Sequence, residues 1–572
     1  MENISVRRVD TNRHWTQVNL NECMLDNSDR VVIWRGDYAF VEFVVTADVD
    51  TDIEVVARHD KALDVQLFRL DVTKAFIGNA GWYARNPKGI MPTGPKVDVD
   101  DILMPACTAH IGANGYKCML AKVSSTHVAG SYNVAFDVLA QGKLVASIDV
   151  DVEVLPVDMM SPEDYSFKVE YWHHPYNVAE YYKVQPWSED HLAIMREQQL
   201  FYKALGGSGV ICTLLDEVWG GQTYGSGEIR YPSMIKWIYD GSKWSFDYTI
   251  FDKWVALNRD IGLDDKFICY SMMPWGNKMR YFHAGKNKYI TRIVPTTFKW
   301  RYKRAWKVFL NDFIKHLDEL GIFDSVYIGF DERSNMNMIL NFLEMFSNKD
   351  GHHFKVAASF NNYLGNRKCL DRIDSVSVGI DEIKVHEEEY RAIALERQDE
   401  GKCTTLYTAT DNFPNSFALS EPMESYWSIL YAYSTGNNGF LRWAYDAWTH
   451  NPLEDTTHWS FQAGDCFLVY PNDESKRPCW SYRLLKLDEA VRDVNKLAKI
   501  ASQNELAGEI CNLLKKIGDN YTYNDVYDSS WGVGIRHAKW LDENGTNVMI
   551  SDVKHAKSAI NDIIYRYSKQ TN

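Results

Sequence analysis

Residues 325–332 read SVYIGFDE. An unbroken apolar run of strand length ends in two neighbouring acids, Asp331 and Glu332. A run without apolar–polar alternation suits a strand covered on both faces, as in a parallel sheet. Working outward, the same strand-then-helix unit recurs. Candidate strands lie at 167–171, 210–215, 267–271, 325–330, 355–360, 375–379, 404–407 and 439–444. Helix-sized segments lie at 189–205, 248–261, 301–320, 334–346, 386–400, 420–434 and 480–500, with a short helix after the fifth strand. Eight such units argue for a (β/α)8 TIM barrel with long loops. An open doubly wound sheet would call for a Gly-rich phosphate loop after an early strand, and neither a G-x-G-x-x-G nor a Walker sequence occurs.

On the N-terminal side the pattern is different. Segments 30–36, 39–47, 52–58, 131–140 and 143–157 are β-rich and closely spaced. In ASIDVDVEV the residues Ile148, Val150, Val152 and Val154 alternate with polar ones, which gives a strand with one buried face. Residues 1–160 are therefore expected to form an antiparallel β-sandwich, 161–500 the catalytic barrel, and 501–572 a helical accessory element packed on the barrel. The last assignment rests on ELAGEICNLLKKIG (505–518) and the amphipathic DVKHAKSAINDIIYRYSK (552–569).

The 572 residues carry a net charge of −15, which disfavours a nucleic-acid partner because phosphates call for a basic surface. No long Lys/Arg run reverses this locally. The ten cysteines form no C-x-x-C pair, which removes zinc-ribbon and thioredoxin-like readings. The N-terminus has no signal-like apolar region and no stretch approaches about 18 apolar residues, so a soluble, cytoplasmic chain without membrane insertion is expected. Aromatics make up 13% of the chain. Flat rings stack on the C–H faces of pyranoses, but large cores also bury many aromatics, so composition alone decides nothing.

Barrel enzymes build their sites at the C-terminal ends of the strands. Here those ends carry YWHHPY (171–176), Asp216 and Glu217 with Trp219, Trp275, Asp331 and Glu332, Asn361 with Asn362 and Tyr363, Asp381 and Glu382, Tyr407, and RWAYDAW (442–448). Acids, amides and aromatics in one ring suit glycosidic bond cleavage, which needs a proton donor for the leaving oxygen and stabilisation of a cationic anomeric carbon. Of the three acid pairs, Asp331/Glu332 stands out because it ends SVYIGFDE, a buried apolar run, where burial can raise a carboxyl pKa. Neighbours in a strand point to opposite faces, so both acids can serve one substrate only if the backbone breaks strand geometry there. Their adjacency also fits poorly with opposed carboxylates about 5–5.5 Å or 6.5–9.5 Å apart across the bond. It fits better with a sugar whose own 2-acetamido oxygen attacks the anomeric carbon.

At these residues the chain resembles glycoside hydrolase family 123, the β-N-acetylgalactosaminidases. The resemblance rests on YIGFDE (327–332), GFLRWAYDAW (439–448) followed by Asn451-Pro452, and GDCFLVYP (464–471), in that order, and extends over nearly the whole chain. It implies retaining, exo-acting hydrolysis of terminal β-linked GalNAc on glycolipid or oligosaccharide glycans, through an oxazolinium-type intermediate. Carried over, it implies Glu332 as general acid and then base, with Asp331 holding the acetamido N–H. Such families commonly hold the acetamido carbonyl with a Tyr and wall its methyl with Trp; Tyr407 or Tyr445, with Trp443 and Trp275, are the candidates here by inference and not by motif match. Asn472 stands where the family pattern suggests Gly, a departure that touches a turn.

Other candidates have structural alternatives. His174 is a sugar-hydroxyl contact or a packed histidine, and Glu217 a hydroxyl contact or an ion-pair member. Asn361 is a candidate hydroxyl contact. Arg442 is a substrate contact or, more in keeping with its type, the anchor of a loop acid. Trp448 reads as core. His173-His174 lacks a third ligand at suitable spacing, so neither metal nor cofactor is expected. Two further functions compete: a glycan-binding barrel without turnover, and a two-carboxylate β-glycosidase pairing Glu332 with Glu217 or Asp381.

Overall fold

The computed structural model describes residues 3–16, 19–20, 30–77, 94–221, 231–293, 300–333, 336–361, 366–408, 412, 414–503, 505–520 and 545–570. Asn362 and Tyr363, named above at the fifth strand end, lie outside the described residues.

The N-terminal region is two packed sheets. One has seven strands in the order Ile4–Val9, Tyr38–Ala47, Gly115–Ser125, Leu63–Phe76, Lys96–Pro105, Cys479–Ser481 and Val469–Tyr470. The other has five, in the order Val31–Arg35, Lys143–Asp158, Gly130–Ala140, Thr51–Arg58 and Thr108–Ile111. Ile148, Val150, Val152 and Val154 all face the buried layer between them, with Phe43 stacked on Phe136 at 5.0 Å. Two points differ from the expectation. The pair Lys143–Asp158 and Val31–Arg35 is parallel, so the sandwich is not wholly antiparallel. The seven-stranded sheet also takes its last two strands from residues 469–481, beyond the expected boundary at 160.

The catalytic region centres on eight parallel strands: β1 Lys168–Tyr171, β2 Val210–Thr213, β3 Phe267–Tyr270, β4 Val326–Asp331, β5 Lys355–Phe360, β6 Ser375–Gly379, β7 Cys403–Tyr407 and β8 Gly439–Arg442. Their order in the sheet is β1-β8-β7-β6-β5-β4-β3-β2. β1 also reaches toward β2: Val169 N–H donates to Gly206 O at 3.1 Å, and Val169 O accepts from Ser208 N–H at 2.7 Å. β3 and β6 are buried along their whole length, which both-face coverage requires of a parallel sheet. Helices Glu189–Ala204, Thr249–Asp260, Met336–Leu343, Glu387–Asp399 and Pro422–Ser434 fall within the expected segments, while Trp300–Leu320 starts one residue earlier and Tyr482–Gln503 ends three residues later than expected. After β5 the described helix is 3-10, Arg367–Arg372.

A four-stranded sheet inserted after β2 and β3 was not foreseen. Its order is Trp244–Asp247, Lys236–Tyr239, Lys278–His283 and Lys288–Ile293. Trp237 plugs it onto the helix Trp300–Leu320, with ring centroids 5.1 Å from Trp306 and 4.6 Å from Phe309.

The helix Tyr482–Gln503 joins the two regions through buried charge. Arg492 donates to Asp37 at 2.8 Å and to Asp488 at 3.0 Å, and Lys496 reaches Asp37 at 2.5 Å. Arg483 pairs with Asp101 at 2.9 Å, both fully buried. The last helix, Gly545–Gln570, packs on this one through Lys557–Asp493 and also meets the sandwich, Tyr567 lying 6.0 Å from Trp34. No described helix is long and apolar enough to cross a membrane.

Candidate active site

The expected break in strand geometry is present. β4 ends at Asp331, and Glu332 has φ +47°. A left-handed backbone is unfavourable for a residue with a Cβ, by about 1–2 kcal/mol. It is held by Glu332 N–H donating to Ser359 O at 3.0 Å, on the neighbouring β5. Beyond the turn Glu332 is bonded to Tyr407 and Asp331 to Trp275.

Three strand ends meet at the pair. Tyr407, the last residue of β7, donates its hydroxyl to Glu332 Oε1 at 2.7 Å. Asn361, just past β5, donates to Glu332 Oε2 at 3.2 Å. Trp275, beyond β3, donates its indole N–H to Asp331 Oδ2 at 2.8 Å. Arg333 braces that indole, its guanidinium 4.8 Å from the ring centre and its Nε donating to Met273 O at 3.0 Å. The indole loop is fastened in turn by Trp275 N–H donating to Val218 O at 2.6 Å.

Burial pushes the Asp331 carboxyl up to about 6, against the opposing pull of the Trp275 hydrogen bond and the Arg333 charge. Burial, then the Glu332 charge, raise Tyr407 well above the ordinary phenol range, so it stays a hydrogen-bond donor. The arrangement thus offers a carboxyl with a donor on each oxygen, beside a second, partly desolvated carboxyl braced by an indole.

A second group of candidates clusters around the ends of β1, β2 and β8. His174 Nε2 pairs with Trp443 O at 3.1 Å, and its backbone N–H donates to Asp446 Oδ1 at 2.6 Å. Burial pushes the His174 imidazole down to about 4, so it is neutral at physiological pH. Its ring meets Trp219 edge-on at 5.5 Å, and Trp219 lies 5.5 Å from Tyr270, whose hydroxyl senses the Asp331 charge. Trp443 donates to Asp465 Oδ1 at 3.2 Å and packs on Phe461. Glu217, with φ +51°, lines a cavity of about 40 Å³ together with His173, His174 and Trp219.

Two candidates do not reach the cleft. Tyr445 is fully buried, stacked on Tyr171 at 6.0 Å and against His173 at 4.9 Å. The chain has left strand geometry here: Tyr445 N–H donates to Trp172 O at 2.9 Å and Tyr445 O accepts from Leu468 N–H at 2.9 Å, which holds Tyr445 inside while Trp443 stays partly exposed. Arg442 is also fully buried. It donates to Thr408 Oγ1 at 3.0 Å, Asn415 Oδ1 at 2.9 Å and Asp465 Oδ1 at 2.6 Å, tying the loops after β7 and β8 together. As substrate contacts, both are corrected to structural residues.

Among the competing acids, Asp216 is engaged structurally, accepting from Ser233 N–H at 2.9 Å and Arg280 at 3.1 Å. Asp381 is not remote: its Oδ1 and the Tyr407 hydroxyl lie 2.7 and 3.6 Å from the point a Cβ on Gly379 would occupy. Tyr270 and Trp219 were not singled out as site residues. Tyr270 is the last residue of β3, a position that would have identified it; Trp219 needed knowledge of how its loop folds back. No cluster of metal-ligating side chains occurs among the described residues.

The family model described as "Glycoside hydrolase 123, catalytic domain" matches residues 172–500. A solved structure titled as a family 123 glycoside hydrolase from Clostridium perfringens, studied for glycolipid glycan hydrolysis, superposes with a TM-score of 0.86 at 29% identity, covering 100% of this chain and 99% of that one. A family 39 glycoside hydrolase from Bacteroides cellulosilyticus WH2 gives a TM-score of 0.33 at 9% identity, covering 82% of each chain. No curated protein sequence matches.

Proposed function

The chain belongs to glycoside hydrolase family 123, and from that premise we propose that it is a retaining, exo-acting β-N-acetylgalactosaminidase that releases terminal β-linked GalNAc from glycolipid or oligosaccharide glycans by substrate assistance. The observation that carries this reading is the adjacency of Asp331 and Glu332 across a left-handed turn, with Tyr407 bonded to Glu332 and Trp275 bonded to Asp331. Acids so close in the chain cannot flank a glycosidic bond from opposite sides, whereas one can serve the leaving oxygen while the other serves the acetamido group. The (β/α)8 description is part of this reading, supported by the strand order and by the bonds from β1 to the turn entering β2.

In this mechanism Asp331 accepts the acetamido N–H through Oδ1, which has no hydrogen-bond partner among the described residues, while Trp275 holds Oδ2. A carboxylate there raises the nucleophilicity of the acetamido oxygen and stabilises the cationic oxazolinium. Glu332 gives its proton to the leaving oxygen and then takes one from the incoming water. Tyr407, once a substrate is seated, turns its hydroxyl from Glu332 to the acetamido carbonyl. Glu332 thereby loses a donor that favours the carboxylate, and holds its proton for the leaving group more readily. Trp275, Trp443 and His174 border the sugar.

A two-carboxylate glycosidase is the second reading, with Asp381 as partner acid because it lies beside Tyr407. Aryl β-glycosides of GalNAc, GlcNAc and galactose decide between the two. Substrate assistance requires cleavage of 2-acetamido sugars and none of galactose, and a large loss with Asp331→Asn. Efficient galactoside cleavage lost with Asp381→Asn would establish the second reading instead.

A further inference from the structure

We propose that Glu217 and Trp219, at the seam between β1 and β2, form the pocket that takes the axial 4-hydroxyl of the terminal sugar and so set the choice of GalNAc over GlcNAc. The inference rests on the 2-acetamido sugar reading of the site, and its test separates the two.

The first observation is the seam. β1 and β2 stand at the two ends of the strand order, and the bridge between them pairs Val169 with Gly207, ahead of the strand ends that build the site. Past that bridge lies the cavity of about 40 Å³, with His173 and His174 from the β1 side and Thr213, Glu217 and Trp219 from the β2 side. Such a volume admits a hydroxyl group or one or two waters, and no sugar ring. The second observation is strain. Glu217 has φ +51°, the left-handed conformation also found at Glu332, and its turn is closed by Gly220 N–H donating to Glu217 O at 2.8 Å. Glycine would sit there without strain, so a glutamate in its place points to a use for the carboxylate. The third observation is unmet hydrogen bonding. Among the described residues, the Trp219 indole N–H and both ring nitrogens of His173 are buried without a hydrogen-bond partner. Buried polar groups are nearly always paired, so orphans gathered around one small cavity point to a guest that supplies the missing bonds. An alcohol suits it, because a hydroxyl gives its hydrogen to a carboxylate and accepts an N–H on its oxygen.

The pocket is tied to the catalytic pair. Val218 O, between the two proposed residues, accepts the Trp275 N–H at 2.6 Å, and the Trp275 indole donates to Asp331. Trp219 also packs 5.6 Å from Trp172 and 5.5 Å from Tyr270, the last residue of β3. C4 is the ring carbon opposite C1. With C1 at Glu332 and the 2-acetamido group on Asp331, C4 is carried away from Glu332, toward the 217–219 loop against which Trp275 is fastened. An axial 4-hydroxyl stands off the ring plane and enters a small pocket beside it. An equatorial one stays near the plane and leaves Glu217 and Trp219 unmatched, which costs transition-state binding. A carboxylate that merely fastened its own loop would act on every substrate alike.

The test is kcat/KM on aryl β-glycosides of GalNAc, GlcNAc and 4-deoxy-GalNAc. The parent should prefer GalNAc to GlcNAc by about 10²-fold or more. Glu217→Ala should cut that ratio about thirtyfold and Trp219→Phe about fivefold, the sizes expected for hydrogen bonds with and without a charged partner. The ratio of GalNAc to 4-deoxy-GalNAc should fall by the same factors. Glu217→Gln, which keeps the volume and one acceptor oxygen, should lose less than Glu217→Ala, and it carries the test with Trp219→Phe if the alanine variant fails to fold. A parent that takes both epimers alike, or variants that slow on all three sugars while both ratios hold, would overturn the proposal. Cleavage of galactosides in place of 2-acetamido sugars would count against the function instead. The galactoside-to-glucoside ratio then reads the same pocket, and its collapse in Glu217→Ala would leave the 4-hydroxyl assignment standing. In the absence of any turnover, calorimetric binding of free GalNAc against GlcNAc to parent and variants reads it, and equal binding of the two sugars by the parent would overturn it.

Discussion

The Tyr407 hydroxyl donates to Glu332 Oε1 at 2.7 Å, joining the end of β7 to the turn after β4. In the proposed cycle this contact is exchanged for one with the acetamido carbonyl. Tyr407→Phe should therefore lower kcat on 2-acetamido aryl glycosides by about 10²-fold, within the range seen when one oriented donor is removed. A purely structural hydroxyl would leave kcat within about twofold, so steady-state kinetics with a circular-dichroism control separate the two.

Glu332→Gln should abolish cleavage of substrates with poor leaving groups while sparing much of kcat/KM on dinitrophenyl glycosides, whose first step needs no proton, although kcat there falls because the base for water is lost. General-acid assistance contributes about 10²–10⁴-fold. Equal losses of kcat/KM on both substrate types would mean that Glu332 is not the proton donor.

Asp331 must be ionised to serve the acetamido group, and its carboxyl sits at about 6. The acid limb of kcat/KM should therefore fall near pH 6. Trp275→Phe removes the hydrogen bond that favours the ionised form, so the limb should move toward higher pH, by about half a unit to one unit. A limb that stays in place would detach Asp331 from the profile.

The same shift has a cost in stability. With its folded pKa above the unfolded value of 3.8, Asp331 binds its proton more tightly in the native state. Its favourable contribution is complete below about pH 4, declines as pH rises toward 6, and is absent above that. Asp331 is half-buried, so a discounted figure of about 1–2 kcal/mol applies at neutral pH. Asp331→Asn should raise Tm at pH 7 and lose that advantage below pH 4, as thermal unfolding across pH can show.

Asp37 has the opposite sign. Burial alone would raise it, but the charges of Lys496 and Arg492 outweigh that and hold it at about 2. Its contribution is present above about pH 4 and lost as pH falls through 2. Arg492→Met leaves Asp37 and Asp488 short of a partner and should destabilise the fold by about 3–5 kcal/mol in denaturant titration. A loss below about 1 kcal/mol would show that the contact between sandwich and helix is dispensable.

By itself the sequence determined what depends on local pattern. Apolar runs and helical periodicity located the strands and helices of the catalytic region, because strand and helix burial follow fixed periods of about 2 and 3.6 residues. The adjacency of Asp331 and Glu332 was enough to require a break in β4, since strand alternation cannot aim both at one ring. Tertiary structure decided what depends on who lies beside whom. Tyr407 and Tyr445 are equally good candidates by residue type, yet the end of β7 places one on Glu332, while the turn after β8 buries the other beside Tyr171. Arg442 holds loops because Thr408, Asn415 and Asp465 converge on it from distant parts of the chain. The inserted sheet escaped the sequence reading because its strands are short and mixed in polarity, and only their pairing gives them a shared face. Those contacts join residues far apart in sequence, and no local period encodes them.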